Sequence, residues 1–224
     1  MKNTIFIIAA LFTTVLMLQS CGNGNNSSET KETDTSMSQT PKPDTMDMNK
    51  MNDDMMQSMN STMAKMKDMK MTGDFDLDFA NMMMMHHQAA IDMSEVEIAK
   101  GSDTQIKTMA QNIITAQKAE IEQMQQFVKN YKMPEAKMEK GEMHNELGET
   151  MKTMMDKMMG MQMTGNTDKD FVMMMIPHHE SAVTMAEDEI SHGKKLELKK
   201  MAQKMIADQS KEISEFKAWL ANQK

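Results

Sequence analysis

The chain has no arginine, a single cysteine and, among 224 residues, only seven Phe, one Tyr and one Trp. Arginine is the usual bidentate reader of phosphate and guanine, and the formal net charge is −8, so a nucleic-acid partner is excluded in favour of cations. One cysteine allows neither an internal disulfide nor a thiolate cluster. No stretch alternates as a strand does, no glycine-rich loop is placed to cradle phosphate, and no nucleophile stands in a recognisable base arrangement. With so few aromatics, the core must be built from something else. That something is methionine, 36 residues of it. Being unbranched and adaptable, methionine fills irregular gaps, and packing alone accounts for many of these side chains.

The amino end is distinct from the rest. Lys2, an apolar run from Ile5 to Leu18 and then Leu18-Gln19-Ser20-Cys21 form an export signal (residues 1–20) with a lipoprotein cleavage site. The run is too short to span a bilayer, which takes about 20 apolar residues. Cys21 is therefore expected to carry lipid and to anchor the chain to a membrane of the cell envelope, facing the periplasm. Residues 21–49 are Asn, Ser, Thr, Asp, Lys and Pro with little apolar besides methionine, the composition of a flexible tether.

The remainder is one unit used twice. Met82-Met83-Met84-Met85-His86-His87 recurs 92 residues later as Met174-Met175-Ile176-Pro177-His178-His179, and Phe79, Ala90, Met93, Glu95, Glu97 and Gly101 meet identical residues at that offset. The first repeat spans about 50–133 and the second about 134–224, forming one bundle. Apolar steps of four and three predict core helices near 74–100, 102–131, 167–192 and 194–222, with Met-rich helices near 50–70 and 135–160. Acidic stretches at Asp74 and Asn166 and a capping box at Ser102 open helices, Gly101 and Gly193 close them, and Pro177 is expected to kink its own. Met51, Met55, Met59, Met63, Met66 and Met69 form one predicted face; Met151, Met155, Met158 and Met161 form its copy. Met154 falls outside. The later helices take seams Ala110-Ile114-Gln117-Ile121-Met124-Val128 and Ala202-Ile206-Gln209-Ile213-Phe216-Leu220.

In the seam Phe79, Met83, His86, Ala90, Met93, Glu97 a histidine sits at the centre, and Phe171, Met175, His178, Ala182, Met185, Glu189 repeat it. An unpartnered buried polar group costs about 1–3 kcal/mol against a domain margin of roughly 5–15. These histidines therefore need partners. They satisfy one another and Gln117 and Gln209, or they hold a metal. Imidazole suits Cu, Zn, Fe and Ni, whereas thioether selects soft ions, Cu(I) above all. Met82 with His86, and Met83 with His87, offer sulfur and nitrogen one turn apart. Glu95 and Glu97, with Glu187 and Glu189, are candidates to orient the ring N–H groups. His144 and His192 have no copies and are read as surface residues or accessory ligands. A di-iron carboxylate oxidase would need paired Glu-x-x-His motifs, and only Glu189 to His192 supplies one. A third reading makes the Met faces docking surfaces for a partner helix, with no metal.

At Met82–Ala90 and Met174–Ala182, the strings M-M-x-x-H-H-x-x-A and I-P-H-H-x-x-A resemble the family called domain of unknown function 305. The resemblance covers about residues 76–220 and implies a ferritin-like four-helix bundle of two duplicated hairpins in an exported protein. Some members of that family are linked to periplasmic copper binding and tolerance. Carried across, it points to His86, His87, His178 and His179 with Met82, Met83, Met174 and Met175. The expectation is an all-α, lipid-anchored copper binder, holding Cu(I) for buffering or transfer rather than for catalysis.

Overall fold

The computed structural model describes residues 48–132 and 143–223; the signal, Cys21, most of the tether and Pro134 lie outside them, as does the side chain of His144. Six helices are present: α1 (Met48–Lys67), α2 (Phe75–Lys100), α3 (Thr104–Asn130), α4 (Met143–Met159), α5 (Thr167–His192) and α6 (Leu196–Ala221). No strand occurs among the described residues. α2 pairs with α3 and α5 with α6 as two hairpins, α2 packs on α5 between them, and α1 and α4 lie mainly on α2 and α5 respectively. The result is a ferritin-like four-helix bundle with two added helices, in which α2 and α5 are the central pair. None of the described helices is long and apolar enough to cross a membrane.

Each hairpin begins with the same device. Asp74 and Asn166 cap α2 and α5 by accepting from the amides of Leu77 and Lys169. Gly73 and Gly165, at φ 90° and 80°, make the turn before them in a region L side chains avoid. Asp78 then accepts from the amide and hydroxyl of Thr72, and Asp170 from those of Thr164.

Asp76 and Asp168 reach further than their position in a first helical turn suggests. Asp168 accepts from the amides of Ser102 and Asp103 at 2.8 and 2.7 Å, at the start of α3. Its copy Asp76 accepts from the amides of Lys194 and Lys195, at 2.9 and 2.7 Å, at the start of α6. Lys195 makes no side-chain cap of its own, so α6 is capped from the other hairpin. Charge-assisted bonds of this kind contribute about 1.5–3 kcal/mol each and fix the two hairpins in register.

Against these aspartates lie the carboxyls of Glu97 and Glu189, both wholly buried. They sit where a residue after the helix would place its side chain. A Cβ built on Gly101 would be 2.0 Å from Glu97 Oε1 and 2.6 Å from the Glu97 carbonyl oxygen, and Gly193 stands in the same relation to Glu189. Since the carbonyl belongs to the helix backbone, it cannot swing aside. Gly101→Ala and Gly193→Ala are each expected to destabilise the fold by about 1–3 kcal/mol, read as a lower urea midpoint; an unchanged midpoint would show that the helix end yields freely.

Several faces differ from those periodicity predicts. In α4 the buried stripe is Leu147, Met151, Met154 and Met158, while Met155 is half-buried. Leu147 sets that register, and Met154, assigned to the outside, is inside. In α3 and α6 the stripe is wider, taking in Ile113, Glu120 and Phe127, and Met205 and Trp219, while Ile121, Val128, Ile206, Ile213 and Leu220 are half-buried. α5 continues through Pro177 as one helix, with no restart at His178.

Candidate metal centre

The six-residue seams of α2 and α5 are buried throughout, and they bring His86 and His178 together at the middle of the bundle, with the rings of His87 and His179 centred 6.4 and 6.2 Å from those of their sequence neighbours. His86, His87, His178 and His179 are each at most 1% exposed. The rings of His86 and His178 lie against each other, tilted by 37°, with centroids 3.7 Å apart. Burial first, and then the neighbouring imidazoles, hold both well below the ordinary histidine pKa, so both are neutral and able to ligate.

How the other atoms are used fixes which nitrogen is free. His87 Nε2 is 2.9 Å from Glu120 Oε2, and His179 Nε2 is 2.7 Å from Glu212 Oε2. A carboxylate oxygen accepts, so Nε2–H donates in both rings and Nδ1 is the nitrogen without a partner. His86 Nε2 lies 2.7 Å from Ser181 Oγ, which is 2.7 Å from the His178 carbonyl and 3.0 Å from Met154 Sδ. Ser181 has one proton; given to the His178 carbonyl, it leaves the hydroxyl oxygen to accept from His86 Nε2–H. Nδ1 of all four histidines is buried and has no hydrogen-bond partner. His178 Nε2 has none either, and the duplication explains why: Ala89 stands where the second copy has Ser181.

Met82, Met83, Met174 and Met175 are all buried, one helical turn before the histidine each was paired with. Gln117 is buried one turn before Glu120 with its Oε1 unpartnered, and Gln209 has both amide atoms unpartnered. The four glutamates expected to orient the rings do not do so. Glu95 and Glu187 are exposed, Glu95 standing 3.8 Å from Lys118, because nine positions beyond His86 is half a turn round the helix. Glu97 and Glu189 face inward but three turns on, roughly 16 Å along the axis, at the bundle ends. The orienting carboxylates are Glu120 and Glu212, which the same 92-residue offset relates and which stand three residues after the seam glutamines.

Bare imidazole nitrogens held by carboxylates behind them are the arrangement metal-binding histidines adopt. The donors fit a soft or borderline ion: imidazole nitrogens, thioethers in the same core and no carboxylate aimed inward at the ring pair. The di-iron pattern is not assembled, since Glu189 turns to Asp76 while the half-buried His192 lies 3.1 Å from Glu146.

Fold and site together define an all-helical bundle with buried, paired imidazoles in a methionine core. The chain belongs to the family described as Domain of unknown function (DUF305), whose model matches residues 16–128 and 76–220. Among solved structures it is similar to CopM in a silver-bound form, with 33% identity over 69% of this chain and 98% of that one and a TM-score of 0.50. CopM in the Cu(II)-bound form matches at 33% identity over 66% and 96% of the two chains, also at 0.50. A DUF305 fragment from Deinococcus radiodurans, 18% identical over 66% and 97% with a TM-score of 0.50, shares the fold. No curated relative matches.

Proposed function

We propose that the protein is an envelope lipoprotein, anchored through Cys21, that binds copper as Cu(I) and serves as a buffer or carrier rather than a catalyst. One observation carries the reading: four buried imidazoles each keep Nδ1 without a partner while their Nε2 atoms, His178 excepted, are held in place. Left bare, each such atom costs about 1–3 kcal/mol, a burden a bound ion removes. Neutral nitrogen beside thioether favours Cu(I) over harder ions. The silver-bound and Cu(II)-bound forms of CopM, at 33% identity, support copper as the ion.

In this reading His86, His87, His178 and His179 supply nitrogen, and Met82, Met83, Met174 and Met175 supply sulfur from the preceding turns. Glu120 and Glu212 orient His87 and His179, and Ser181 orients His86. The test is a Cu(I) titration against a competing chelator, comparing the protein with a variant in which the four paired histidines are alanine. The variant is expected to lose at least about 100-fold in affinity. Equal affinity and stoichiometry would end the paired-histidine reading.

A further inference from the structure

The two copies differ where they should not if they served the ion equally. The buried seams match closely, yet four substitutions fall on the α4 side of α5 and on α4 itself. Ser181, Met154, Asp188 and His192 stand where the first copy has Ala89, Thr62, Val96 and Lys100. Three of them, Met154, Ser181 and Asp188, line one feature, and His192 stands beside it with Glu146 and Asp188. An open cleft of about 510 Å³ between α4 and α5 is lined at its outer end by Glu146 and Asp188 and at its inner end by Met154 and Ser181.

At the outer end, ligand atoms of Glu146, Asp188 and His192 lie within 4.8 Å of one another. At the inner end, Ser181 touches His86 Nε2 at 2.7 Å and Met154 Sδ at 3.0 Å. Pro177, beside the fully buried and unpartnered His178, lines the same cleft. The first copy is built differently. There Lys100 forms an ion pair with Asp54, filling with a cation the place His192 holds in the second. The α1–α2 face carries two separate hollows, one at Asp54 and Lys100 and one at Thr62 and Met85, and Ala89 lines neither.

We propose that the α4–α5 cleft is the port by which the ion reaches the imidazoles, with Glu146, Asp188 and His192 collecting it and Met154 and Ser181 passing it inward. This rests on the copper-binding reading above. Four carboxylates line the cleft, Glu146, Glu149, Glu180 and Asp188, against one ammonium, Lys157, which pairs with Glu180 at 3.6 Å. A net negative cleft raises the local concentration of a cation and its arrival rate, and salt abolishes the effect. Carboxylate and imidazole at the mouth give way to thioether and imidazole inside, so donors become softer along the path.

The experiment is stopped-flow loading of the apo protein with Cu(I), supplied anaerobically as its cationic acetonitrile complex, at low and high salt. The variants are Asp188→Val with His192→Lys, which restores the first-copy residues; the isosteric Glu146→Gln; and Asp54→Asn on the opposite face. The first two are expected to load about tenfold more slowly at low salt, with the gap closing at high salt and final stoichiometry unchanged. Asp54→Asn is expected to load at the wild-type rate. Equal rates for all, or equal slowing by Asp54→Asn, overturn the port. If the four-histidine variant binds Cu(I) as the wild type does, the histidine reading fails and the port with it; histidine-dependent binding with rates indifferent to the cleft overturns the port alone.

Discussion

Replacing His86 and His178 together by leucine is expected to make the apo protein more stable and to make it blind to copper. Three unpartnered nitrogens lie on these two rings, His86 Nδ1 and both atoms of His178. Each costs about 1–3 kcal/mol, and leucine is a hydrocarbon of comparable size for the same buried space. Ser181 loses its contact with His86 but keeps the backbone carbonyl of residue 178, 2.7 Å away. A net gain of about 2 kcal/mol, or roughly 4–8 °C in melting temperature for a domain of this size, follows. With Cu(I) at a hundredfold excess over its dissociation constant, the wild type gains about 2.7 kcal/mol and the variant gains nothing. The ranking of the two melting curves should therefore reverse when the ion is added. A leucine variant that is less stable in both states would mean that the rings are held for packing, and that their bare nitrogens are incidental.

Most of the helical frame was legible because the sequence states it twice. The six helices fall close to where apolar steps put them, and both central seams are buried through all six positions. What periodicity does not carry is axial register between helices. It shows that Glu97 faces inward but not that its neighbour is Asp168 at the other hairpin's start, three turns from His86. The same limit hid Glu120. A seam stepping from Gln117 to Ile121 passes over it, whereas α3 buries a stripe broad enough to include both 117 and 120. The offset of 92 residues, applied to inward-facing carboxylates, would have found Glu120 and Glu212 as a pair. Ser181 was hidden for the opposite reason: it breaks the repeat, with Ala89 at its place in the first copy.

The carboxyl pairs at the bundle ends give the second large effect, a dependence of stability on pH with a definite sign. Burial, then the hydrogen bond and charge of Asp168, push Glu97 up from 4.5 to about 8; burial, then Asp76, push Glu189 up to about 9. Asp168 is itself held below the usual carboxylate range: burial acts to raise it, but the amides of Asp103 and Ser102, the Ser102 hydroxyl and Glu97 prevail. In the folded protein each glutamate thus keeps its proton while its aspartate partner caps a helix. The unfolded chain releases that proton above about pH 4.5, so between there and pH 8–9 the native state binds more protons and stability falls as pH rises. Above that window both states are ionised and the curve flattens. Glu97→Gln with Glu189→Gln removes the titration while keeping a donor for each aspartate. The variant should match the wild type near pH 5 and exceed it by at least about 1 kcal/mol at pH 9. Urea midpoints that run parallel for the two proteins across this range would show that the glutamates ionise in the fold without penalty, and that the hairpins are joined by the aspartate caps alone.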